Sequence, residues 1–475
     1  MSNLEQELTD AGDLAGTLGI AHTRWATHGS PTQANAHPHT NDAGNIALVH
    51  NGIIENYATL RTFLEGKGHT FTSETDTEVL VQLIGELRSS GLSLDDAVKA
   101  ALREVTGAYA IAVIAADEPN SLVVARKGSP LLVGLAQDSY IAASDAQAII
   151  SHTSQVIALD DYQVAKLTIN GQGPELHTTT IDDVPVNPVV QDLEMSLDQI
   201  ELGGYEHYMQ KEIMEQPNAL TNALRGRIDQ REGQVVLGGL RALARDLVRA
   251  KRFILIGQGT AWHAGLVGEY LLEDLAKVPA EVEYASEFRY RNPIVDEGTV
   301  LVAISQSGET ADTLAALTEA KDRGAMAIGV VNAVGTTIAR ETDAGVYLHV
   351  GPEIGVASTK AFIGQVAVLT LISLMIGRRK YLSPDTVSNY LAELEKLPGH
   401  IEKVVQQSEF IRDETLKYID RENWLFLGRG YNYPVALEGA LKLKEISYIH
   451  AEGMPAAEMK HGPIALIDEG MPVVF

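Results

Sequence analysis

The segment 253–289 reappears at 424–460 in the same register. Phe253-Ile-Leu-Ile-Gly257-Gln-Gly259 aligns with Trp424-Leu-Phe-Leu-Gly428-Arg-Gly430, and Ala285-Ser-Glu287-Phe-Arg289 aligns with Ala456-Ala-Glu458-Met-Lys460, each at an offset of 171 residues. Segments that far apart hold register without a gap when they are copies of one structural unit. In the first copy the apolar run Val300-Leu-Val-Ala-Ile304 leads into Ser305-Gln-Ser-Gly-Glu-Thr310; the same offset carries Ser305 one residue past Phe475. Met471-Pro-Val-Val-Phe475 is therefore expected to be the second copy's equivalent strand, and the chain reads as a fragment at its C-terminal end.

The rest of the pattern predicts the architecture around these units. From residue 251 onward, apolar strands at 253–257, 300–304, 326–331 and 346–350 alternate with amphipathic helices at 262–276, 311–322 and 358–376, which predicts a doubly wound parallel sheet of α/β type. A charged helical stretch at about 383–418 links the two copies. Residues 16–180 carry short β-branched runs (46–49, 108–114, 121–125) bounded by Gly, Asn, Asp and Pro, with helical patterns at about 77–89 and 94–105. They are expected to form an α+β arrangement of sheets and helices. Residues 181–205, with Pro185, Pro188 and Gly203-Gly204, read as a linker, and 205–247 as mostly helical.

Charge and cysteine content limit the chemistry. The formal net charge of −26 argues against a nucleic-acid or anionic-membrane surface, so an anionic ligand must be held by local dipoles and a few cations. With no cysteine, the residues offer no disulfide, no thiolate metal ligand and no cysteine nucleophile. The longest apolar stretch, Ile363 to Ile376, is interrupted by polar residues and reads as too short for a membrane span. No signal peptide opens the chain, and a cytoplasmic location is expected.

The strongest chemical signal is Ser305-Gln306-Ser307-Gly308-Glu309-Thr310, between an apolar strand and the helix beginning at Ala311. Free N–H groups, the positive end of a helix dipole and several hydroxyls converge there, an environment that suits a phosphate. The competing reading is N-capping by Ser307 with Glu309 in the first turn. Gly257-Gln-Gly259-Thr260 ends the preceding strand and borders the same crevice by the switch-point rule, although a lone G-x-G also fits a tight turn. Ala357-Ser358-Thr359-Lys360 offers a third wall. In the second copy Lys442 and Glu445 share a helical face, where they can bracket a substrate carbon or form a solvated ion pair. His461, before Gly-Pro, reads as a functional or interface imidazole.

The N-terminal part holds a second constellation: His22-Thr-Arg24-Trp25-Ala-Thr27-His28-Gly29, His37-Pro-His39, His50-Asn51-Gly52 and Glu74-Thr-Asp76-Thr. Arg24 can clamp a carboxylate, Asp76 can hold an amino group, and Asn51 with the Gly52 N–H can form an oxyanion hole, together an amino-acid pocket set up for amide hydrolysis. Taken separately these are turn residues and surface histidines, and Asn51-Gly52 is a hairpin turn. The histidine spacing matches no usual metal motif.

These segments, with Gln210-Lys-Glu-Ile-Met-Glu-Gln-Pro217 and Leu441-Lys-Leu-Lys-Glu-Ile-Ser-Tyr-Ile-His-Ala-Glu452, resemble the glutamine–fructose-6-phosphate aminotransferase (isomerizing) family, the glucosamine-6-phosphate synthases. The resemblance spans nearly the whole chain in order. It implies a glutaminase domain of N-terminal-nucleophile-hydrolase type over 1–180, lacking its N-terminal part, and a linker and helical segment over 181–235. A first sugar-isomerase (SIS) domain would follow over 236–380, a helical connector over 381–419, and an incomplete second SIS domain over 420–475. By matching positions, Arg24, Trp25, Thr27, His28 and Asp76 would bind glutamine, with Asn51 and Gly52 stabilising the oxyanion. Thr260, Ser305, Gln306, Ser307, Thr310, Val356 and Ser358 would hold the sugar phosphate. Glu445 would shuttle a proton between C1 and C2, Lys442 would assist, and His461 would open the ring, reaching a neighbouring subunit's site. The implied reaction converts fructose 6-phosphate and glutamine to glucosamine 6-phosphate and glutamate, in a homodimer with no metal or organic cofactor.

The sequence departs from that pattern in three places. The family's N-terminal nucleophile cysteine is absent, its Schiff-base lysine falls beyond Phe475, and Ala261 stands where many members have a phosphate-contacting serine. The complete reaction is therefore not expected of these 475 residues alone. A non-catalytic sugar-phosphate-binding SIS protein is the alternative reading.

Overall fold

A computed structural model describes residues 16–24, 28–170, 173–193 and 197–475. The chain divides into two compact units, Met1–Met195 and Ser196–Phe475.

Among the described residues of the first unit, six antiparallel strands lie in the order His39–Thr40, Ile46–Ile54, Gly107–Ala115, Ser121–Lys127, Gln163–Asn170 and Gly173–Thr180. Their side chains alternate between two faces, as the strand period of two requires. Tyr109, Ile111 and Val113 pack with Leu64, Leu80 and Val98 of the helices Tyr57–Gly66, Asp76–Arg88 and Leu94–Glu104. Ala110, Val124 and Ala165 face the other way, onto Val133 and Ile157 of a second antiparallel sheet. The result is a helix–sheet–sheet arrangement of the α+β type expected. Two of the helices begin where the sequence supplies a cap: Thr75 accepts from the Glu78 N–H and Ser93 from the Asp96 N–H. The stretch expected to be a linker also contributes a strand, Val190–Asp192, paired antiparallel to Gln155–Ala158. Three residues beside two prolines carry no visible alternation, and their pairing partner lies elsewhere in the sequence.

The second unit holds the predicted parallel sheet. Its strand order is Ala280–Tyr284, Arg252–Gly257, Thr299–Ser305, Met326–Val331 and Ala344–Tyr347 among the described residues. Phe253, Leu255, Val300 and Val302 face one core with the helix Lys360–Lys380, while Ile254, Ile256, Leu301 and Ala303 face another with Phe288 and Leu317. Burial on both faces explains why these strands read as continuous apolar runs. The first of the five in spatial order escapes that signal: Glu281 and Glu283 alternate with Val282 at the sheet edge. The segment 205–247 is less helical than expected, since the hairpin Ile228–Asp229 and Gln234–Val235 separates its helices.

Lys360–Lys380 corrects the reading of Ile363–Ile376 as too short. The helix has 21 residues and is long and apolar enough to cross a membrane, yet 78% of its apolar window is buried inside the fold. It serves here as a core helix.

The duplication survives down to strand register. Trp424 pairs with Ala451 across the strands Asn423–Gly428 and His450–Pro455, as Phe253 pairs with Ala280. Val473–Val474 flanks Asn423–Gly428 on its other side, parallel, as Thr299–Ser305 flanks Arg252–Gly257, but one residue out of register: Leu425 pairs with Val473, whereas Ile254 pairs with Leu301. The equivalent turn glycines both take a positive φ, 51° at Gly259 and 57° at Gly430.

Candidate functional site

A strand order in which the first two strands are swapped puts a topological switch point between Arg252–Gly257 and Thr299–Ser305, and ligand crevices form at the carboxyl ends of such strands. The loop Ser305–Thr310 lies at that edge. Buried Ser305 closes it: its Oγ lies 3.0 Å from Thr310 Oγ1 and accepts from the Gly308 N–H at 2.9 Å. Thr310 is the N-cap of the helix Ala311–Asp322, but its hydroxyl makes no capping bond. Ser307 Oγ instead accepts from the Glu309 N–H at 3.2 Å, two residues before the helix begins. Capping by Ser307 therefore does not account for the motif. Ser307 is exposed and Gln306 and Thr310 are half-buried, so the loop opens outward.

Two neighbouring loops are tied to it. The Asn332 N–H donates to the Gln306 carbonyl at 3.3 Å, and its side chain bonds the Gly351 carbonyl (2.7 Å) and the Val350 N–H (3.1 Å). Glu353 accepts from the Ser358 hydroxyl at 2.6 Å and from the Thr359 N–H at 2.7 Å, covering the start of Lys360–Lys380. Buried Glu212 accepts from the Ile354 and Gly355 N–H groups, and burial pushes its carboxyl above the usual range despite those bonds. The Val356 side chain is 80% exposed.

Across the crevice, the helix Asn432–Ser447 brings Lys442 and Glu445 together, Nζ to Oε2 at 2.7 Å with both groups partly buried. The Lys442 ammonium also donates to Thr260 Oγ1 at 3.0 Å, and the Thr260 hydroxyl donates to Glu438 Oε1 at 2.8 Å. The Thr260 hydroxyl thus faces the second copy. His461 is exposed at the end of a 3-10 turn, and among the described residues no hydrogen bond or ion pair joins it to Lys442 or Glu445.

In the first unit Asn51 and Gly52 sit inside the strand Ile46–Ile54, opposite Ala110 and Tyr109, which removes the hairpin-turn reading. Asp76 begins the helix Asp76–Arg88, where it accepts from the Ile54 N–H at 2.8 Å, with His28 at 3.9 Å and His50 at 4.0 Å. The Arg24 guanidinium donates to the carbonyls of His28, Gly29 and Ser30 and so braces its own loop. Glu78 accepts from the Thr72 and Ser73 N–H groups at 2.8 and 2.7 Å; burial works against its charge, but these bonds outweigh it and hold the carboxyl below its usual range. Trp25 and Thr27 lie outside the described residues.

The glutamine amidotransferase domain family matches residues 11–206, and the SIS domain family matches 246–375 and 417–475. Glutamine–fructose-6-phosphate aminotransferase [isomerizing] of Chlorobaculum tepidum is 53% identical, over 100% of this chain and 77% of its own. The enzyme of the same name from Bacteroides thetaiotaomicron is 52% identical over the same shares. This chain belongs to the glutamine–fructose-6-phosphate aminotransferase (isomerizing) family. A solved structure, the C-terminal domain of glucosamine-fructose-6-phosphate aminotransferase from Francisella tularensis, superposes with a TM-score of 0.55 at 41% identity, covering 57% of this chain and 76% of that one. Membership in this aminotransferase family favours an enzyme over the non-catalytic alternative.

Two of the three further residues that the fold brings to this crevice carried no usable sequence signal. Glu438 and His263 sit on unrelated-looking helical stretches, and Asn332 sits in a strand-end loop with no motif. Asn332, an amide residue directly after the buried parallel strand Met326–Val331, does carry one, since strand ends line the crevice.

Proposed function

We propose that the protein takes the amide nitrogen of glutamine and fructose 6-phosphate toward glucosamine 6-phosphate and glutamate, with the sugar bound at the second unit's crevice. The reading is carried by the Ser305–Thr310 loop, an arc of hydroxyls at a helix start on the strand-end crevice that Thr260, in contact with the partly buried Lys442–Glu445 pair, also borders. In this strongly acidic chain such an arc holds a phosphate by dipoles and hydrogen bonds rather than by net charge. Ser305, Gln306, Ser307 and Thr310 are assigned to the phosphate, with Thr260, Val356 and Ser358 at the rim.

Glu445 is assigned the proton shuttle: its carboxylate removes the proton from C1 of the open-chain sugar and returns it to C2. Lys442, at 2.7 Å, keeps that carboxylate oriented and offsets charge that develops on the adjacent oxygen. Glutamine is assigned to the pocket of Arg24, Trp25, Thr27, His28 and Asp76, with Asn51 and Gly52 as the oxyanion hole. Because these 475 residues contain no cysteine, attack on the amide by a cysteine thiolate has no source within them. The domain limits 1–180, 236–380 and 420–475, a homodimer and a cytoplasmic location go with the reading. The exposed His461 is assigned to the sugar site of a neighbouring protomer.

A thermal-shift titration tests this. Fructose 6-phosphate at millimolar concentration raises the melting temperature of the second unit, and Ser305→Ala reduces that shift. No shift in the unaltered chain would reject the phosphate assignment.

A further inference from the structure

We propose that His263 is a positioning residue for the sugar site, holding Glu438 so that Thr260, Lys442 and Glu445 keep their alignment. The inference rests on the proposed sugar-phosphate reading and extends it to a pair of residues with no assigned role. His263 Nδ1 lies 2.6 Å from Glu438 Oε2, a contact in which the ring N–H donates to the carboxylate. Both residues are buried, at 8% and 6% exposure. The other carboxylate oxygen, Oε1, accepts from the Thr260 hydroxyl at 2.8 Å and lies 3.3 Å from the Lys442 ammonium.

The geometry follows from helix periodicity. Thr260 and His263 are three residues apart and so share one face of Thr260–Leu271, and together they grip both oxygens of one carboxylate. On the facing helix, Glu438, Lys442 and Glu445 are spaced by four and three residues and also form a single stripe. The Trp262 ring lies edge-on to the His263 imidazole, 5.4 Å between centroids, and restricts its rotation. A chain of polar contacts thus runs from His263 through Glu438 to Lys442 and Glu445. Without the imidazole, Glu438 Oε2 is left buried and unpaired. The carboxylate then turns its second oxygen toward Lys442, and the ammonium is drawn away from Glu445.

Calorimetric titration of the full 475-residue chain with fructose 6-phosphate tests the idea, comparing His263→Leu, His263→Gln and His263→Asn. An asparagine amide reaches the position of Nδ1, whereas a glutamine amide reaches further and leucine offers no donor. The expected result is affinity lowered about tenfold in the leucine and glutamine variants, with asparagine restoring it to within about threefold of the unaltered chain. Equal affinity in all four proteins, or equal weakening in all three variants, would overturn the positioning role, the second outcome assigning His263 to packing alone. No binding by the unaltered chain would instead reject the sugar-phosphate reading, and this inference with it. If leucine prevents folding, judged by melting of the unliganded protein, the comparison of asparagine with glutamine decides.

Discussion

Gly308 is packed against Thr336 so closely that a Cβ at 308 would lie 2.0 Å from the Thr336 hydroxyl oxygen. Gly308 also has φ 67°, in the left-handed region, and its carbonyl accepts from the Ile338 N–H at 3.0 Å. Close approach and backbone conformation both demand glycine in the middle of the Ser305–Thr310 loop.

Gly308→Ala is accordingly expected to destabilise the second unit by about 2 kcal/mol, combining left-handed strain with overpacking. Chemical denaturation measures the loss. The fructose 6-phosphate thermal shift should vanish in the same variant, because the displaced loop no longer presents its N–H groups together.

Gly52→Ala probes the first unit. With φ 144°, a Cβ there would stand 2.1 Å from the Ala108 carbonyl oxygen, inside the strand pairing of Ile46–Ile54 with Gly107–Ala115. Backbone cannot yield as a flexible side chain can, so a loss of about 3 kcal/mol or more is expected. Melting of the first unit should move to lower temperature while that of the second stays in place.

Acid should weaken the first unit. Burial, reinforced by the neighbouring rings of His22, His39 and His50 and by Arg24, lowers His37 to about 3. His22, His39 and His50 are also lowered, in each case chiefly by burial, with Asp76 and Glu78 opposing at His50 and His39 respectively. An unfolded histidine titrates near 6.5, so below that pH the unfolded chain takes up protons that the folded one refuses. Stability contributed by the neutral rings is present above about pH 6.5 and declines as pH falls toward the folded values. Calorimetry at pH 7.5 and pH 5 checks this, and His37→Asn should flatten the dependence.

Glu353→Ala removes the carboxylate that covers the start of Lys360–Lys380 through the Thr359 N–H and the Ser358 hydroxyl. A cost of about 1 kcal/mol is expected from the lost cap. Hydrogen exchange at residues 351–360 should rise, with little change in the parallel strands; unaltered exchange there would sink the assignment.

The chain's linear pattern by itself determined the class of each unit. Apolar runs such as Thr299–Ser305, buried on both faces, announce a parallel sheet because both sides are covered by helices. The 171-residue repeat fixed which strands correspond, since copies of one unit keep one register. The Ser305–Thr310 motif was readable because its hydroxyls and glycine are contiguous.

Tertiary structure alone decided what distant residues do for one another. Ala280–Tyr284 becomes a strand only because Arg252–Gly257 offers it an edge, its own glutamates giving no apolar run. Thr260 reads as part of a glycine-rich turn, yet its hydroxyl is committed to Glu438, 178 residues away. Glu438 and His263 are ordinary letters in helical stretches until folding buries them 2.6 Å apart. Periodicity reports which face of an element is buried; it carries no information about which charged group from another element meets that face.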